Sequence, residues 1–177
     1  NVLCALALVL LAATTATAST FVSVGSTTNA VGASVDINVT LTSTVPVAGT
    51  ANRITYDNTA LSINPTSDCT ANDAIDKLLS TAVISTLGSN TTIQISVIGA
   101  PISTDEIPNG TLYTCRFQIL GGAAPGVYAL TNTAISATDP SGNLTAGATG
   151  ATGVITVTPF VESRVRGPVF VSDPIAN

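Results

Sequence analysis

Between Val35 and Leu41 apolar and polar residues alternate without a break: Val35, Ile37, Val39 and Leu41 fall on one side, Asp36, Asn38 and Thr40 on the other. A period of two belongs to the β-strand, whose successive side chains point to opposite faces, so the segment predicts a strand with one dry and one wet side. The same period returns in Ile93, Ile95 and Val97 against Gln94 and Ser96, and in Tyr113, Cys115, Phe117 and Ile119 against Thr114, Arg116 and Gln118. Shorter strand candidates lie at Phe21 to Val24, Arg53 to Tyr56, Val127 to Leu130 and Val154 to Thr158. Turn-forming pieces separate them, among them Pro108-Asn109-Gly110, Pro125-Gly126 and Asp139-Pro140-Ser141-Gly142. Short strands at regular spacing predict an all-β sandwich or barrel. One short helix is expected from about Asn72 to Leu79, with Asn72 or Asp73 as its cap and Ile75, Leu78 and Leu79 facing the core. Beyond Pro159 the alternation dissolves, and residues 159–177 read as a tail or linker.

Composition narrows the class. Hydrophobic residues make up 45% of the chain and charged ones 8%, with Thr, Ser, Ala, Asn and Gly filling most of the rest. Disordered chains combine low hydrophobicity with high net charge, and exposed helices are rich in Glu, Lys and Arg, so strands fit this balance better than either. A net charge of −5 with five cations leaves no basic surface for a run of phosphates, which argues against a nucleic-acid partner.

The apolar, uncharged run from Val2 to Ala13, followed by Ala16-Thr17-Ala18-Ser19, reads as a secretory signal occupying residues 1–18 and cleaved after Ala18. The chain begins at Asn1 and contains no Met, so the start of this leader is expected to be truncated. About 12 apolar residues are too few to cross a bilayer comfortably, so no stable membrane span is expected after cleavage. The expected location is secreted or cell-surface. Cys4 lies inside the signal, leaving Cys69 and Cys115. In an oxidising compartment they are expected to pair, closing a loop worth roughly 4 kcal/mol by chain entropy; two buried free thiols are the alternative. Four glycosylation sequons begin at Asn38, Asn90, Asn109 and Asn143, a number that chance explains in so Thr- and Asn-rich a chain.

Catalytic chemistry is hard to find. There is no His anywhere, which removes Ser/His/Asp and Cys/His catalysis and most zinc and copper sites. Gly121 to Gly126 is glycine-rich, but it lacks the Lys and Ser/Thr of a phosphate loop and leads into a strand. A glycosidase pair drawn from Asp57, Asp68, Asp73, Asp76, Asp105 and Glu106 is formally open, yet these acids sit mostly in expected loops and the chain has no Trp platform for sugar rings. No catalytic residue and no metal ligand is therefore assigned. Asp68 to Asp73 and Asp139 to Asn143 cluster oxygen atoms without matching a calcium loop; they read as a helix cap and a turn, with a weak structural Ca2+ as the remainder and no other cofactor.

The order of landmarks adds a resemblance. Val22-Ser23-Val24-Gly25-Ser26, then Val31 to Leu41, then Val47-Ala48-Gly49, then Ile54-Thr55-Tyr56-Asp57 ending in Leu61 open the chain. Ile107 to Ile119 and Ala124-Pro125-Gly126-Val127-Tyr128 follow. In this order they resemble the cohesin family of bacterial and archaeal extracellular proteins, over about residues 19–158. The resemblance implies a jelly-roll β-sandwich of about nine strands, related to carbohydrate-binding modules, that in cellulosomes grips a dockerin domain. The chain departs from the best-known pattern, in which the strand before Tyr-Asp carries an Asn and an Asp facing the dockerin: here those positions are Gly49 and Ala51.

The reading that results is a non-catalytic extracellular binding or scaffolding module attached to a dockerin-like protein partner, with a link to polysaccharide breakdown. Its contact residues are expected on one exposed sheet face, from Thr55, Gln94, Ser96, Arg116 and Gln118. Two alternatives differ in class. A carbohydrate-binding module, with polysaccharide as partner, needs exposed rings from Tyr56, Tyr113 or Tyr128. A structural subunit of a surface filament needs the apolar N-terminal segment to be retained.

Overall fold

The computed structural model describes residues 19–99 and 103–160; the expected signal, and the expected tail from residue 161 onward, lie outside them. All seven segments singled out by alternation are strands. Two six-stranded sheets pack face to face. Sheet one is built from β1 (Thr20–Val24), β3 (Ser34–Ser43), β5 (Leu61–Ser62), β6 (Cys69–Ala71), β9 (Gly110–Ile119) and β11 (Ala148–Ala151). Sheet two runs β2 (Thr27–Ala30), β12 (Gly153–Thr158), β10 (Gly126–Thr138), β4 (Gly49–Asp57), β8 (Asn90–Gly99) and β7 (Lys77–Leu87) from edge to edge. The architecture is the expected jelly-roll sandwich. Treating β1/β2, β5/β6 and β11/β12 as three interrupted strands brings the twelve segments to nine.

The first and last of these interrupted strands change sheet midway and run parallel to each other on both sides of the switch. Glycine makes the crossing possible, since a Cβ at Gly150 would run into the Val22 carbonyl oxygen and one at Gly153 into that of Gly25. The core fills with the predicted dry faces: Ile37, Val39 and Leu41 from one sheet meet Ile54, Ile93 and Ile95 from the other, all essentially inaccessible to solvent. Tyr56 and Phe117 cross the sandwich edge to face, with ring centroids 5.5 Å apart.

A polar bridge also joins the sheets inside this core. The Tyr113 hydroxyl on β9 donates to Asn52 Oδ1 on β4 at 2.7 Å, and Asn52 Nδ2 donates to Asn132 Oδ1 on β10 at 2.9 Å. Asn132 Nδ2 returns to sheet one by donating to the Val22 carbonyl at 2.8 Å. Burial in this apolar setting pushes the Tyr113 hydroxyl well above the usual tyrosine range, only partly opposed by its bond to Asn52, so it stays a proton donor.

Cys69 and Cys115 are directly opposed across β6 and β9 and form a disulfide, with Cα atoms 4.1 Å apart. The free-thiol alternative is thereby set aside. The expected helix over Asn72 to Leu79 is not found. Asn72 does act as a cap, its Oδ1 accepting from the Ala74 amide, but the turn it caps is a single 3-10 turn, Asp73–Ile75. Asp76 leaves that turn in the left-handed region, φ 47°, and Lys77 begins β7. Of the three residues expected to face a core, Ile75 is buried, Leu79 half-buried and Leu78 exposed. The α-helix is instead the four-residue α1 (Pro65–Asp68), whose N-cap Asn64 accepts from Thr66 and whose Pro65 needs no amide partner.

Candidate functional site

The two outer faces of the sandwich differ in kind. On sheet one, β3 and β9 set polar residues opposite each other and bond them in pairs. Ser34 Oγ donates to Gln118 at 2.6 Å, Thr114 Oγ1 to Asn38 at 2.7 Å, and Arg116 Nε and Nη2 clasp Asp36 at 2.8 and 3.2 Å. The guanidinium holds the Asp36 carboxyl below the usual range, and that carboxylate raises Arg116 in turn. This face satisfies itself. A polar recess of about 320 Å³ lies on it, walled by the same pair with Ser67, Asp68, Thr70 and Thr114.

Sheet two presents Thr, Ser, Ala and Gly. Arg53 bonds Gln94 at 3.2 Å across β4 and β8, and the Thr55 and Thr92 hydroxyls meet at 2.8 Å. Toward the other end of β4 the side chains shrink to Gly49 and Ala51, so a shallow trough of about 170 Å³ opens there. Ser96 and Ile98 of β8 and Ser136 and Thr138 of β10 flank it. Leu78 of β7 lies opposite Ile98 and extends the apolar rim. Of the nine large apolar side chains exposed among the described residues, six belong to sheet two: Leu78, Val83, Ile84, Leu87, Ile98 and Val127.

The five residues expected to share one binding face do not share one. Thr55, Gln94 and Ser96 stand together on sheet two, whereas Arg116 and Gln118 stand on the opposite side of the molecule, paired with β3. Alternation along a strand tells which side is wet but not which sheet the strand joins. The trough and its apolar rim are not legible in the sequence, where Leu78 stands at helical spacing from Ile75. Gly49 and Ala51, noted as departures from the family's polar pair, were the signal that pointed there.

Tyr56 and Tyr113 are buried. Tyr128 is half-buried, and its hydroxyl donates to the Ala124 carbonyl at 2.7 Å, pinning the Pro125-Gly126 turn. None of the three offers the exposed ring a carbohydrate platform needs. The acidic clusters are engaged locally. Asp68 accepts from the Asn64 amide and the Ser67 hydroxyl, Asp57 from the Thr59 amide and hydroxyl, and Asp139 from the amides of Ser141 and Asn143. These bonds hold the Asp57 and Asp139 carboxyls below the usual range. Among the described residues no three His, Cys, Asp or Glu side chains converge, and no helix is long and apolar enough to cross a membrane.

Comparison with known proteins agrees with this architecture. No curated protein matches the chain. Among solved structures, the seventh ScaB type I cohesin of Pseudobacteroides cellulosolvens superposes with a TM-score of 0.66 at 20% identity, over 84% of this chain and 98% of that one. A type I cohesin–dockerin complex from Clostridium thermocellum gives a TM-score of 0.66 at 15% identity, over 79% and 99%. A non-cellulosomal cohesin from the hyperthermophilic archaeon Archaeoglobus fulgidus gives 0.62 at 17%, over 79% and 91%. At such identities the likeness establishes the fold, and family membership rests on the sequence itself. The Cohesin domain family matches residues 20–157, so the chain belongs to the cohesin domain family.

Proposed function

We propose that this cohesin is a non-catalytic attachment module that binds a dockerin-type protein through the outer face of sheet two. The observation that carries the choice of face is the contrast between the two sheets. Sheet one pairs its charged and amide side chains with one another, while sheet two leaves a small-residue trough open beside exposed Ile98 and Leu78. A protein interface draws on exposed apolar surface rimmed by polar groups, and side chains already bonded to their own neighbours have less to offer a partner. Several solved relatives are themselves complexes with dockerins, which supports the class of partner. Gly49 and Ala51 make the floor of the trough uncharged, so the partner's contact surface should place bulky apolar groups there, not hydrogen-bonding ones. Export to an extracellular or cell-surface location accords with the disulfide and with the apolar run Val2 to Ala13, and participation in polysaccharide breakdown is the setting such attachment would serve.

The test is capture from the exported proteins of the source organism on immobilised chain, with variants of each face. A dockerin-bearing protein should be retained by the native chain and by Arg116→Ala with Gln118→Ala, and lost by Ala51→Asp with Ile98→Asp. Retention of polysaccharide alone, or loss on altering sheet one and not sheet two, would refute the assignment.

A further inference from the structure

A sandwich has four sheet edges, and this one blunts three of them. β11 and β2 have four residues each, and β5 and β6 have two and three. The fourth edge is β7, with eleven residues. No backbone hydrogen bond joins its outer side to any described residue. Proteins ordinarily protect such an edge with Lys, Pro or inward charges. From Leu78 to Leu87 β7 contains neither a charge nor a proline, and Leu78, Val83, Ile84 and Leu87 are all exposed, Leu87 at 80%.

We propose that β7 is the interface of a homodimer in which two copies pair this strand antiparallel and join their second sheets into one. The arrangement of its apolar residues favours a second copy over an unrelated strand. Leu78 and Leu87 are nine positions apart, an odd separation that would put them on opposite faces of a regular strand. The bulge between Val83 and Ser85 restores the parity, so that Leu78 opposite Ile98 and Leu87 opposite Asn90 both point outward. Antiparallel pairing about the strand's midpoint then sets Leu78 of each copy against Leu87 of the other, and Ser80 against Ser85. The edge is thus complementary to itself, as a twofold interface requires. Acidic repulsion is absent from the contact because no Asp or Glu lies between Leu78 and Leu87, although the chain carries −5 overall.

An edge of about 35 Å offers roughly ten main-chain hydrogen bonds, a number typical of a specific interface. Among the described residues each chain has one long open edge, so pairing through it closes at two copies and does not propagate into a fibre. A twofold axis normal to the sheet keeps both outer faces on the same side. The dimer would therefore display two copies of the trough beside Gly49 and Ala51 in one plane, making attachment bivalent.

Sedimentation velocity on the full chain tests this, with the mass expected to double as concentration rises through roughly the micromolar range. The doubling should vanish, or need at least tenfold more protein, in Ala82→Lys with Leu87→Lys, whose sites are exposed and whose circular dichroism should match the native chain's. Thr149→Lys, on the short β11 edge, should dimerise as the native chain does. Hydrogen exchange supplies a readout independent of any variant: amides of β7, and not those of β2 or β11, should slow as concentration rises. A native chain that stays monomeric, dimerisation that survives both lysines, or protection that appears on another edge would overturn the proposal.

Discussion

Tyr113→Phe removes one oxygen atom and nothing else from the interior. The ring, which is fully buried, keeps its packing, so the hydrophobic contribution is unchanged to first order. What is lost is the donor to Asn52 Oδ1, and Asn52 is itself only 1% exposed. Its amide nitrogen already serves Asn132, so the orphaned oxygen has no substitute within reach of the observed bonds. Leaving a buried acceptor unpaired costs about 1–3 kcal/mol, a large part of the 5–15 kcal/mol that holds a domain of this size together. Urea unfolding followed by far-UV circular dichroism measures it, since the chain has no Trp to report by fluorescence. The midpoint should fall by roughly 0.5–2 M at unchanged slope.

Two controls separate the bridge from a generic loss. Thr114→Val deletes an exposed hydroxyl bond on the neighbouring position of β9 and should shift stability by less than about 0.5 kcal/mol. Asn52→Ala combined with Tyr113→Phe should cost less than the two separately, because once the acceptor is gone the hydroxyl has nothing to satisfy. The pH dependence carries a second signature. A tyrosine whose folded pKa is raised contributes stability that is fully present below its unfolded value and is lost as pH climbs from there through the folded one. The gap between native chain and Tyr113→Phe should therefore narrow above about pH 10. A Tyr113→Phe chain as stable as the Thr114→Val chain would show that the bridge between the sheets does not contribute as argued.

Four further outcomes follow from the same structure. Replacing Cys69 and Cys115 together by Ala frees a loop spanning 46 positions and should cost about 4 kcal/mol in urea unfolding, with β6 and α1 the first amides to gain exchange. Thr50→Val should stabilise by about 1 kcal/mol, since the Thr50 hydroxyl is buried with no partner among the described residues. Lys77 is buried, and its ammonium donates to the carbonyls of Ser103 and Asp105 and to the Ser103 hydroxyl; Lys77→Met should cost about 1–2 kcal/mol and speed exchange in residues 103–107 before any other segment. Thermal midpoints should be nearly flat from pH 5 to 8, because the chain has no His, and should decline below about pH 4. There Asp36, Asp57 and Asp139, whose folded pKa values are depressed, lose the stability they contribute above their unfolded values.

How far the fold was legible depended on whether a strand is buried on one face or lies at an edge. β3, β8 and β9 each have a neighbour on either side and one face in the core, so selection for burial writes a period of two into them. The motif Tyr56-Asp57 to Leu61 was legible for a reason the structure makes plain. Tyr56 and Leu61 plug the core while Asp57 closes the turn between them by accepting from Thr59. The polar bridge could not be read: Asn52 and Asn132 stand on dry faces, where an amide breaks the apolar pattern, and only three-dimensional closeness shows that each satisfies the other. The five polar residues expected on one face were legible as outward-facing positions but not as members of different sheets, Thr55, Gln94 and Ser96 on sheet two and Arg116 and Gln118 on sheet one, because a period of two does not say which sheet a strand joins.

The expected helix over Asn72 to Leu79 and the proposed dimer edge, β7, overlap at Lys77, Leu78 and Leu79, and the overlap has a physical cause. Leu78 and Leu79 follow Ile75 at helical spacing, and a short apolar cluster at that spacing cannot be told from an edge strand by periodicity alone. An edge strand with one neighbour is released from strict alternation, because both its sides are partly exposed; in β7 everything from Ala82 to Leu87 is accessible. Its apolar residues are then not explained by the core of one chain. Where a strand carries aliphatic side chains that its own fold does not bury, and lacks the charges that usually guard an edge, what the pattern encodes is contact with something outside the domain. Reading β7 from periodicity alone failed because its sequence answers to two environments, the hairpin with β8 on one side and the twofold partner on the other.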